Sequence, residues 1–462
     1  MSLLLASASL LLATSAVPVP HGTVVSPLSR VYRVYQSNPE NPSFPLAANA
    51  VRIDGTSSYY TWNELSRNIP AAVSAGLPPG FDYSPWIPDG QLASAGRVDL
   101  QTHGRTYAGL DQVSADWPTT PVVAGATVQV EFLATAPHNP SVWDVWMTSA
   151  DWDATTALNW RQMRFLGRPN VSFAGNRYRF DVQIPADRRG HHVLWVAWQR
   201  NDPVGEVFFS TSDLQILAPN DECTGALAVA EGDHATLSTR GASRSAGAAS
   251  CETGTSGDLW YRLTARCAGT LRAETCMSAV AFDSVVSLWS GSCGAPSLLA
   301  CNDDACGALS AARAPVQAGQ SVLVKVAWRG TPPPSFTLSL SYENGTGSIT
   351  EIQPGCGGAL LVAEGAPNPG GFLRYALPPR GQAQLLWLGV SATRVPLCTG
   401  CAIGADPAVV TPSANLRAQV PCDAAFVGAV WFTQGADLLI GSCALGSTAI
   451  ALSPTLRTTI GS

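Results

Sequence analysis

The sequence predicts an all-β protein built from β-sandwiches. Many short runs of β-branched and aromatic residues alternate with turns, and the 462 residues include 42 Gly and 34 Pro. A chain of this length corresponds to about three domains. Charged residues make up only 13% of the chain and the net charge is -6, which argues against nucleic acid as a partner.

The first module contains four clear strand patterns, at residues 127–134, 177–185, 192–200 and 206–216. The segment 192–200 is apolar on both faces, as expected for a strand in the middle of a sandwich. Between residues 27 and 120 the pattern is irregular, and "SSYYTWNELSRN" (57–68) is its best short helix. Long irregular insertions of this kind commonly carry function.

The distribution of the cysteines divides the chain. All 12 lie at or after Cys223, so the first module must be held by core packing alone. We expect domains at 21–217, 218–345 and 351–462, with the cysteines paired as disulfides in an exported protein. The last two domains hold seven and five cysteines. These odd counts imply a bridge between the domains, a free thiol or a misplaced boundary. At Cys398 and Cys401 a disulfide is favoured over a zinc ribbon.

Residues 1–20 are predicted to be a secretory signal peptide and leader. The apolar run is too short to span a bilayer, and no later run approaches ~18 residues, so we expect a secreted, extracellular protein without a membrane span. Signal peptidase cleavage fits best after Ala16, and a dipeptidyl aminopeptidase could then remove the two X-Pro pairs of "VPVP". His21 would become the first residue.

An N-terminal His21 offers two nitrogen ligands, its α-amine and its ring. A third nitrogen from His138, just past the end of a predicted strand, would complete an all-nitrogen set. Nitrogen ligands in a tetragonal arrangement favour Cu(II), so the expected cofactor is copper.

A series of motifs runs in order along this module: "HGTVVSPLSRVY", "NPENP", "YYTWNEL", "IPDGQLASAG", "SADWPTT", "ATAPH", "WDVWMTSADWDATTALNW", "GHHVLWVAWQRND" and "EVFFSTSD". Residues 21–216 thereby resemble the bacterial-type lytic polysaccharide monooxygenases of auxiliary activity family ten, formerly called chitin-binding proteins. The resemblance implies a fibronectin/immunoglobulin-like β-sandwich with a long loop-and-helix insertion after the first strand. It also implies a copper enzyme that uses O2 or H2O2 and an external electron donor.

The resemblance also implies a set of site residues. The copper ligands of the family match His21 (amine and ring) and His138 (ring). Phe208 matches the aromatic residue beside the axial position, and Ala136 matches the small residue on the opposite axial side. Glu206 matches the acid that positions the oxygen co-substrate in many members. Its alternative is a solvated glutamate at a sheet edge.

Tyr60 matches the exposed aromatic residue that contacts substrate in the family. Of Tyr59, Tyr60 and Trp62, one is expected in the core. The implied partner is an insoluble polysaccharide, with chitin favoured over cellulose because "SRVYRVYQSNPENP" is similar to chitin-active members. We expect a monomer. His103, His191 and His192 are excluded from the site.

The second module resembles the pre-peptidase C-terminal-type β-sandwiches of secreted proteins. Its Asp283, Asp303 and Asp304 have the oxygen ligands for calcium, although an Asn-Asp turn is the preferred interpretation. The rival functions are a non-catalytic polysaccharide-binding adhesin that retains the fold and a copper carrier. A carrier has no need of the large insertion with its aromatic residues.

Overall fold

A computed structural model describes residues 21–69, 77–201, 205–245, 249, 251–343, 345–378, 383–445 and 448–462. The predicted signal peptide and leader, residues 1–20, lie outside this part. The chain divides into two compact units, residues 1–217 and 218–462. In the described part, no helix combines the length and the apolar character needed to cross a membrane.

The first unit is a β-sandwich with a helical insertion. Its strands are β1 (His21–Ser26), β2 (Ser66–Asn68), β3 (Thr120–Val123), β4 (Thr127–Ala136), β5 (Ser141–Thr148), β6 (Met163–Gly167), β7 (Ser172–Ala174), β8 (Arg177–Gln183), β9 (Gly190–Arg200) and β10 (Glu206–Leu217). Its α-helices are α1 (Arg30–Gln36), α2 (Pro45–Asp54), α3 (Thr56–Tyr60) and α4 (Leu100–His103). The four predicted strands are present, with ends shifted by a few residues.

Two sheets form the sandwich. One has the order β1-β4-β8-β7 and the other β2-β10-β9-β5-β6, with β3 pairing to β10. Buried side chains from both sheets, among them Phe132, Trp143 and Trp198, form one core. The alternate side chains of β9, such as Trp195, join a second core with the insertion. This explains why residues 192–200 are apolar on both faces: β9 has the sandwich core on one side and the insertion on the other.

A helix was predicted over residues 57–68, and this prediction is wrong after residue 60. The α-helix ends at Tyr60, Trp62–Glu64 is a single 3₁₀ turn, and β2 follows. The backbone N–H of Phe209 donates to the Leu65 carbonyl at 3.0 Å, and β2 pairs with β10. Pairing with the edge of the sheet thus overrides the local helical pattern.

The second unit is also all-β. Residues 227–343 form strands β11 (Leu227–Val229), β12 (Gly232–Ser238), β13 (Gly257–Thr264), β14 (Gly269–Glu274), β15 (Asp283–Ser290), β16 (Ser297–Asp303), β17 (Ala311–Val316), β18 (Ser321–Arg329) and β19 (Ser335–Glu343). Their sheets have the orders β11-β13-β18-β15-β16 and β12-β19-β14-β17. A core of mainly aliphatic side chains from both sheets, such as Val286, Val324 and Leu338, lies between them.

The remaining strands form separate sheets. They are β20 (Ser348–Gln353), β21 (Val362–Gly365), β22 (Phe372–Ala376), β23 (Ala383–Gly389), β24 (Ala392–Cys398), β25 (Cys401–Ala405), β26 (Val409–Thr411), β27 (Asn415–Gln419), β28 (Val430–Leu445), β29 (Thr448–Leu452) and β30 (Thr455–Thr459). The sheets have the orders β20-β30-β28-β23-β26, β21-β22-β27 and β24-β25, with β29 pairing to β28. The all-β class is confirmed. The division at about residue 350 into two modules stays a prediction.

All 12 cysteines of the sequence are paired. The disulfides are Cys223–Cys293, Cys251–Cys301, Cys267–Cys422, Cys276–Cys306, Cys356–Cys401 and Cys398–Cys443. The Cys267–Cys422 bridge joins the two predicted cysteine-rich modules, which accounts for their odd counts. Cys398 and Cys401 are both in disulfides, although not with each other, so neither offers a thiolate to zinc.

Candidate metal centre

The two candidate ligands lie at one end of the first sheet. His21 is the first residue of β1 and pairs with Ala136, the last residue of β4. His138 follows Ala136 by two residues. The sheet therefore holds both imidazole-bearing residues at the same end of β1 and β4. The small Ala136 is the pairing partner of His21 and precedes His138 by two residues.

Tyr178 fixes the backbone of His138. Its hydroxyl accepts a hydrogen bond from the His138 N–H (3.0 Å) and donates one to the His138 carbonyl (2.9 Å). The ring Nδ1 of His138 is 3.2 Å from the carbonyl oxygen of Pro140. When Nδ1 carries the proton and donates to this carbonyl, Nε2 bears the lone pair that a metal ion requires.

Gly22 allows β1 to pack tightly next to His21. A Cβ at this position would overlap the ring of Phe132 and the carbonyl of Leu133. Phe132 is fully buried in the sandwich core. Only glycine therefore permits this approach of the strand to the core, and the packing sets the position of His21.

Phe208 lies beside His21. The two ring centroids are 6.0 Å apart and the rings meet edge to face. Phe208 is buried and packs against Trp198 with a centroid distance of 5.1 Å. A phenyl ring has no donor atom, so this side chain occupies space near the histidine without offering a ligand.

Glu206 is held by two partners. Its Oε1 accepts from the Ser66 hydroxyl at 2.8 Å, and its Oε2 accepts from Arg200 Nη1 at 2.8 Å. The side chains of Arg200 and Glu206 are only 11% and 13% exposed. A carboxylate with both oxygens engaged and little solvent contact is not a freely solvated edge glutamate.

The insertion is anchored at the candidate centre. Asn63 Nδ2 donates to Thr135 Oγ1 at 2.9 Å, and that hydroxyl donates to the His21 carbonyl at 3.3 Å. Tyr60 is 47% exposed and packs edge-on against Tyr35. The insertion thus carries an exposed aromatic ring on the same segment that contacts the start of β1.

One of the three neighbouring aromatic residues was expected in the core, but the structure buries two of them. Tyr59 and Trp62 are both buried. Tyr59 donates to Asp54, and Trp62 packs against Tyr32 at 4.8 Å between centroids. Tyr60 is the exposed one.

The donor set fits a copper ion. The ligand candidates are two imidazoles and, once His21 is the first residue, an amine, which are all nitrogen donors of the kind that Cu(II) prefers. The phenyl ring of Phe208 beside His21 cannot ligate, and the Glu206 carboxylate is engaged by Ser66 and Arg200. The residues present are therefore consistent with a three-nitrogen site.

The other histidines of this unit have structural partners. His191 Nε2 is 2.8 Å from Asp213 Oδ1, His192 Nδ1 is 2.9 Å from the Thr148 hydroxyl, and His103 Nε2 is 3.3 Å from Arg67. Each contact occupies a ring nitrogen with a side chain of the fold.

Several supporting residues were not found from the sequence: Ser66, Asn63, Thr135, Tyr178 and Arg200. No motif marked them, because their role depends on contacts between distant segments. The register of the predicted strands 192–200 and 206–216 could have indicated Arg200, since an antiparallel pair brings Arg200 near Glu206.

The carboxylates of Asp283, Asp303 and Asp304 lie close together in the second unit. Arg329 donates to Asp283 at 3.2 Å and to Asp303 at 2.7 Å. Asp304 has a φ of 70°, which is typical of a turn residue. A guanidinium thus already pairs with two of the three carboxylates, which favours the turn interpretation.

Known proteins are similar to the first unit. Residues 21–214 match the family model described as lytic polysaccharide mono-oxygenase, cellulose-degrading. A chitin-binding protein of Pseudomonas aeruginosa is 30% identical, over 42% of this chain and 47% of its own. A lytic cellulose monooxygenase of Streptomyces ambofaciens is 27% identical, over 44% of this chain and 56% of its own.

Among solved structures, a cellulose-active lytic polysaccharide monooxygenase in complex with copper has 26% sequence identity and a TM-score of 0.35, covering 43% of this chain and 100% of its own. The chain spans about half the length of the curated relatives it matches. The family model matches the same part of the chain as the motifs, which confirms the predicted resemblance over residues 21–214.

Proposed function

We propose that the first unit is a copper-dependent lytic polysaccharide monooxygenase that acts on an insoluble polysaccharide. The observation that supports the proposal is the pairing of His21 with Ala136, two residues before His138, at one end of the sheet. The chemistry that copper supplies when bound is activation of O2 or H2O2 after reduction by an external donor, and hydroxylation at a glycosidic carbon then breaks the chain. The protein contributes a rigid nitrogen set and its surroundings.

Each candidate residue has a distinct task in this proposal. His21 and His138 hold the metal, with Tyr178 fixing the backbone of His138. Phe208 excludes a ligand atom beside His21, and Ala136 leaves room at the same edge. Glu206, held by Ser66 and Arg200, offers a fixed carboxylate for orienting the oxygen co-substrate.

We propose chitin as the favoured substrate and Tyr60 as a contact to it. The exposed ring of Tyr60 can stack on a sugar ring, as aromatic faces commonly do. Support for chitin is the similarity of residues 29–42 to chitin-active enzymes and a relative named for chitin binding. Another relative is named for cellulose, so both polymers belong in the test.

The metal site is tested by copper titration of the mature protein. Protein that begins at His21 should bind one Cu(II) tightly, while His138→Ala and protein retaining residues before His21 should each lose tight binding. His234→Ala removes a histidine that lies in the second unit and should bind as the wild type does. Unchanged affinity in His138→Ala would refute the ligand assignment.

The alternative function is a polysaccharide-binding adhesin that retains the fold, which is favoured by the relative named only for binding. Both functions predict adhesion to chitin. Only the enzyme releases oxidised oligosaccharides, and only with copper, a reductant and O2 or H2O2. Absence of oxidised product from the copper-loaded mature protein on chitin and on cellulose would favour the adhesin. Product on cellulose alone would keep the enzyme and overturn the substrate.

Glu206→Gln tests the role of the carboxylate. The variant keeps an acceptor for Ser66 and removes the charge that faces Arg200. It should retain copper affinity and lose about 10–100-fold in turnover, as is usual for groups next to a metal site. Turnover equal to the wild type would leave Glu206 with a structural role only.

A further inference from the structure

Lys325 is exceptional in this chain. Lysines and arginines together number 27, and Lys325 is the only lysine among them. It lies on β18, in the interior of a five-stranded sheet, and is 1% exposed. Arginine serves at every other basic position, but a guanidinium is permanently protonated and cannot act as a nucleophilic amine. The one amine side chain therefore stands where solvent is excluded.

Two buried carboxyl groups face this amine. Lys325 Nζ is 2.9 Å from Glu252 Oε2 and 3.3 Å from Asp258 Oδ2, and all three side chains are about 1% exposed. Asp258 lies on β13, the neighbouring strand, where Trp260 is the direct partner of Lys325. Because Asp258 is two residues from Trp260, it lies on the same sheet face as Lys325, within reach of a long side chain.

The two carboxyl groups have different surroundings. The backbone N–H of Ser245 donates to Asp258 Oδ2 at 2.9 Å, and the Ser245 hydroxyl contacts Oδ1. Burial raises the pKa of the Asp258 carboxyl above its ordinary value, against the opposing effect of Lys325. Glu252 accepts from the Ser287 hydroxyl at 2.7 Å and makes the shorter contact to Lys325. Burial thus favours the protonated form of Asp258, and Glu252 makes the closer contact to the amine.

All three groups lie where solvent is excluded. A buried ion pair carries a large desolvation cost. Transfer of one proton from Lys325 Nζ to Glu252 removes both charges and leaves a free amine beside a protonated Asp258 carboxyl. An amine and a carboxylic acid held in contact, with water excluded, are the reactants of amide formation.

We propose that Lys325 and Asp258 are joined by an intramolecular amide bond, with Glu252 carrying the proton. Neutral Nζ attacks Cγ of Asp258, and a C–N bond forms while the Ser245 N–H stabilises the negative oxygen. Protonated Glu252 gives its proton to the departing hydroxyl and then takes one from the nitrogen. The C–O bond breaks, one water leaves, and Glu252 ends in the protonation state in which it began the attack. No oxidation or reduction is involved.

The bond would link β13 to β18 covalently inside the first sheet of the second unit. The same sheet is already bridged to a neighbouring segment by Cys251–Cys301, since Cys301 lies on β16. Unlike a disulfide, an amide resists reduction. The cross-link would keep β13 and β18 covalently joined after reduction has opened the disulfides.

A lysine-specific endoprotease gives a direct test, since the chain has one lysine. The full-length protein is reduced, denatured and digested, and its intact mass is measured. We expect a single uncut chain that is lighter by one water, because an acylated Nζ is not recognised. Two fragments that meet at residue 325, together with the full mass, would overturn the proposal.

Three variants assign the roles. Glu252→Gln lacks the proton carrier and should be cut once, with the full mass. Asp258→Asn should remain uncut and lose one ammonia in place of water, since the same amide forms from a carboxamide. Lys325→Arg should remain uncut with the full mass, which verifies the cleavage site. A Glu252→Gln chain that resists cutting and has lost water would overturn the role of Glu252, whatever its folding yield.

Discussion

The two units of this chain stabilise the same class of fold by different means. The first has no cysteine and fills its cores with large rings: Trp143 stacks on Trp198 with centroids 5.5 Å apart, and Trp195 on Phe209 at 4.9 Å. The second contains all six disulfides and a core of mainly aliphatic side chains. Burial of aromatic surface holds the first unit, and covalent bonds reinforce the second.

This difference indicates which substitutions each unit should tolerate. Close packing of large rings transmits small displacements, so the candidate metal site depends on its core neighbours. Covalent links act mainly by restricting the unfolded chain and make less demand on exact packing.

The largest expected effect is that of reduction. A disulfide commonly contributes ~2–4 kcal/mol, so loss of all six should unfold the aliphatic part of the second unit at ordinary temperature. The first unit should keep its unfolding temperature. Calorimetry with and without a reductant would measure both transitions.

A single bridge sharpens this test. Cys267 and Cys422 are 155 residues apart, so the double variant Cys267→Ala/Cys422→Ala should lose roughly 2–5 kcal/mol of unfolding free energy in the second unit. Removal of the shorter Cys276–Cys306 link, with a separation of 30, should cost less. If reduction lowered the unfolding temperature of the first unit as much as that of the second, disulfides would not account for the difference between the units.

The next effect belongs to the buried ion pair of the first unit. Arg30 donates twice to Asp213, at 2.7 and 2.8 Å, and both side chains are at most 5% exposed. Asp213→Ala leaves the guanidinium buried without its counter-charge and should cost about 3–5 kcal/mol of unfolding free energy. Asp187→Ala, which removes an exposed partner of Arg188, should cost at most about 1 kcal/mol. Denaturant titration of the two variants makes the comparison.

The same ion pair predicts that the stability of the first unit depends on pH in the acid range. Burial acts to raise the pKa of Asp213, but Arg30 and His191 together outweigh it and hold this pKa below the ordinary value. The stabilisation is therefore present above the unfolded pKa of ~3.9 and is lost as the pH falls through the lower folded pKa. Asp213→Asn should unfold with a shallower pH dependence in this range. Equal slopes for wild type and variant would contradict it.

Features set by interactions between residues close in sequence could be predicted, and features set by contacts between distant segments could not. The strands were predictable because alternation is local, as in β8, where Tyr178, Phe180 and Val182 face the core. The family and the candidate ligands His21 and His138 were predictable from motifs. The end of α3 at Tyr60 was not, because pairing of β2 with β10 decides it. The same holds for partners of Glu206, which come from two other strands.

A smaller effect on stability is expected in the first unit, at Gly22. An added methyl group must displace Phe132 or the strand and should cost about 1–3 kcal/mol of unfolding free energy. Since the displaced strand begins at His21, Gly22→Ala should also weaken copper binding. Gly294→Ala, in open space in the second unit, is the matched control and should change neither quantity. Wild-type copper affinity in a destabilised Gly22→Ala protein would separate the core packing from the metal site.

The smallest effect on folding is expected at Tyr60, which separates surface function from core stability. Its ring is 47% exposed, so Tyr60→Ala should change the unfolding free energy by no more than about 0.5 kcal/mol. If the ring stacks on sugar, a loss of about 0.5–1.5 kcal/mol corresponds to roughly twofold to tenfold weaker binding to chitin. Copper affinity should not change, because the side chain lies outside the nitrogen set. Phe165→Ala, which removes a ring 40% exposed on β6, is the control and should bind chitin as the wild type does. Equal loss in both variants would show that the aromatic surface around Tyr60 has no special part in recognising the polymer.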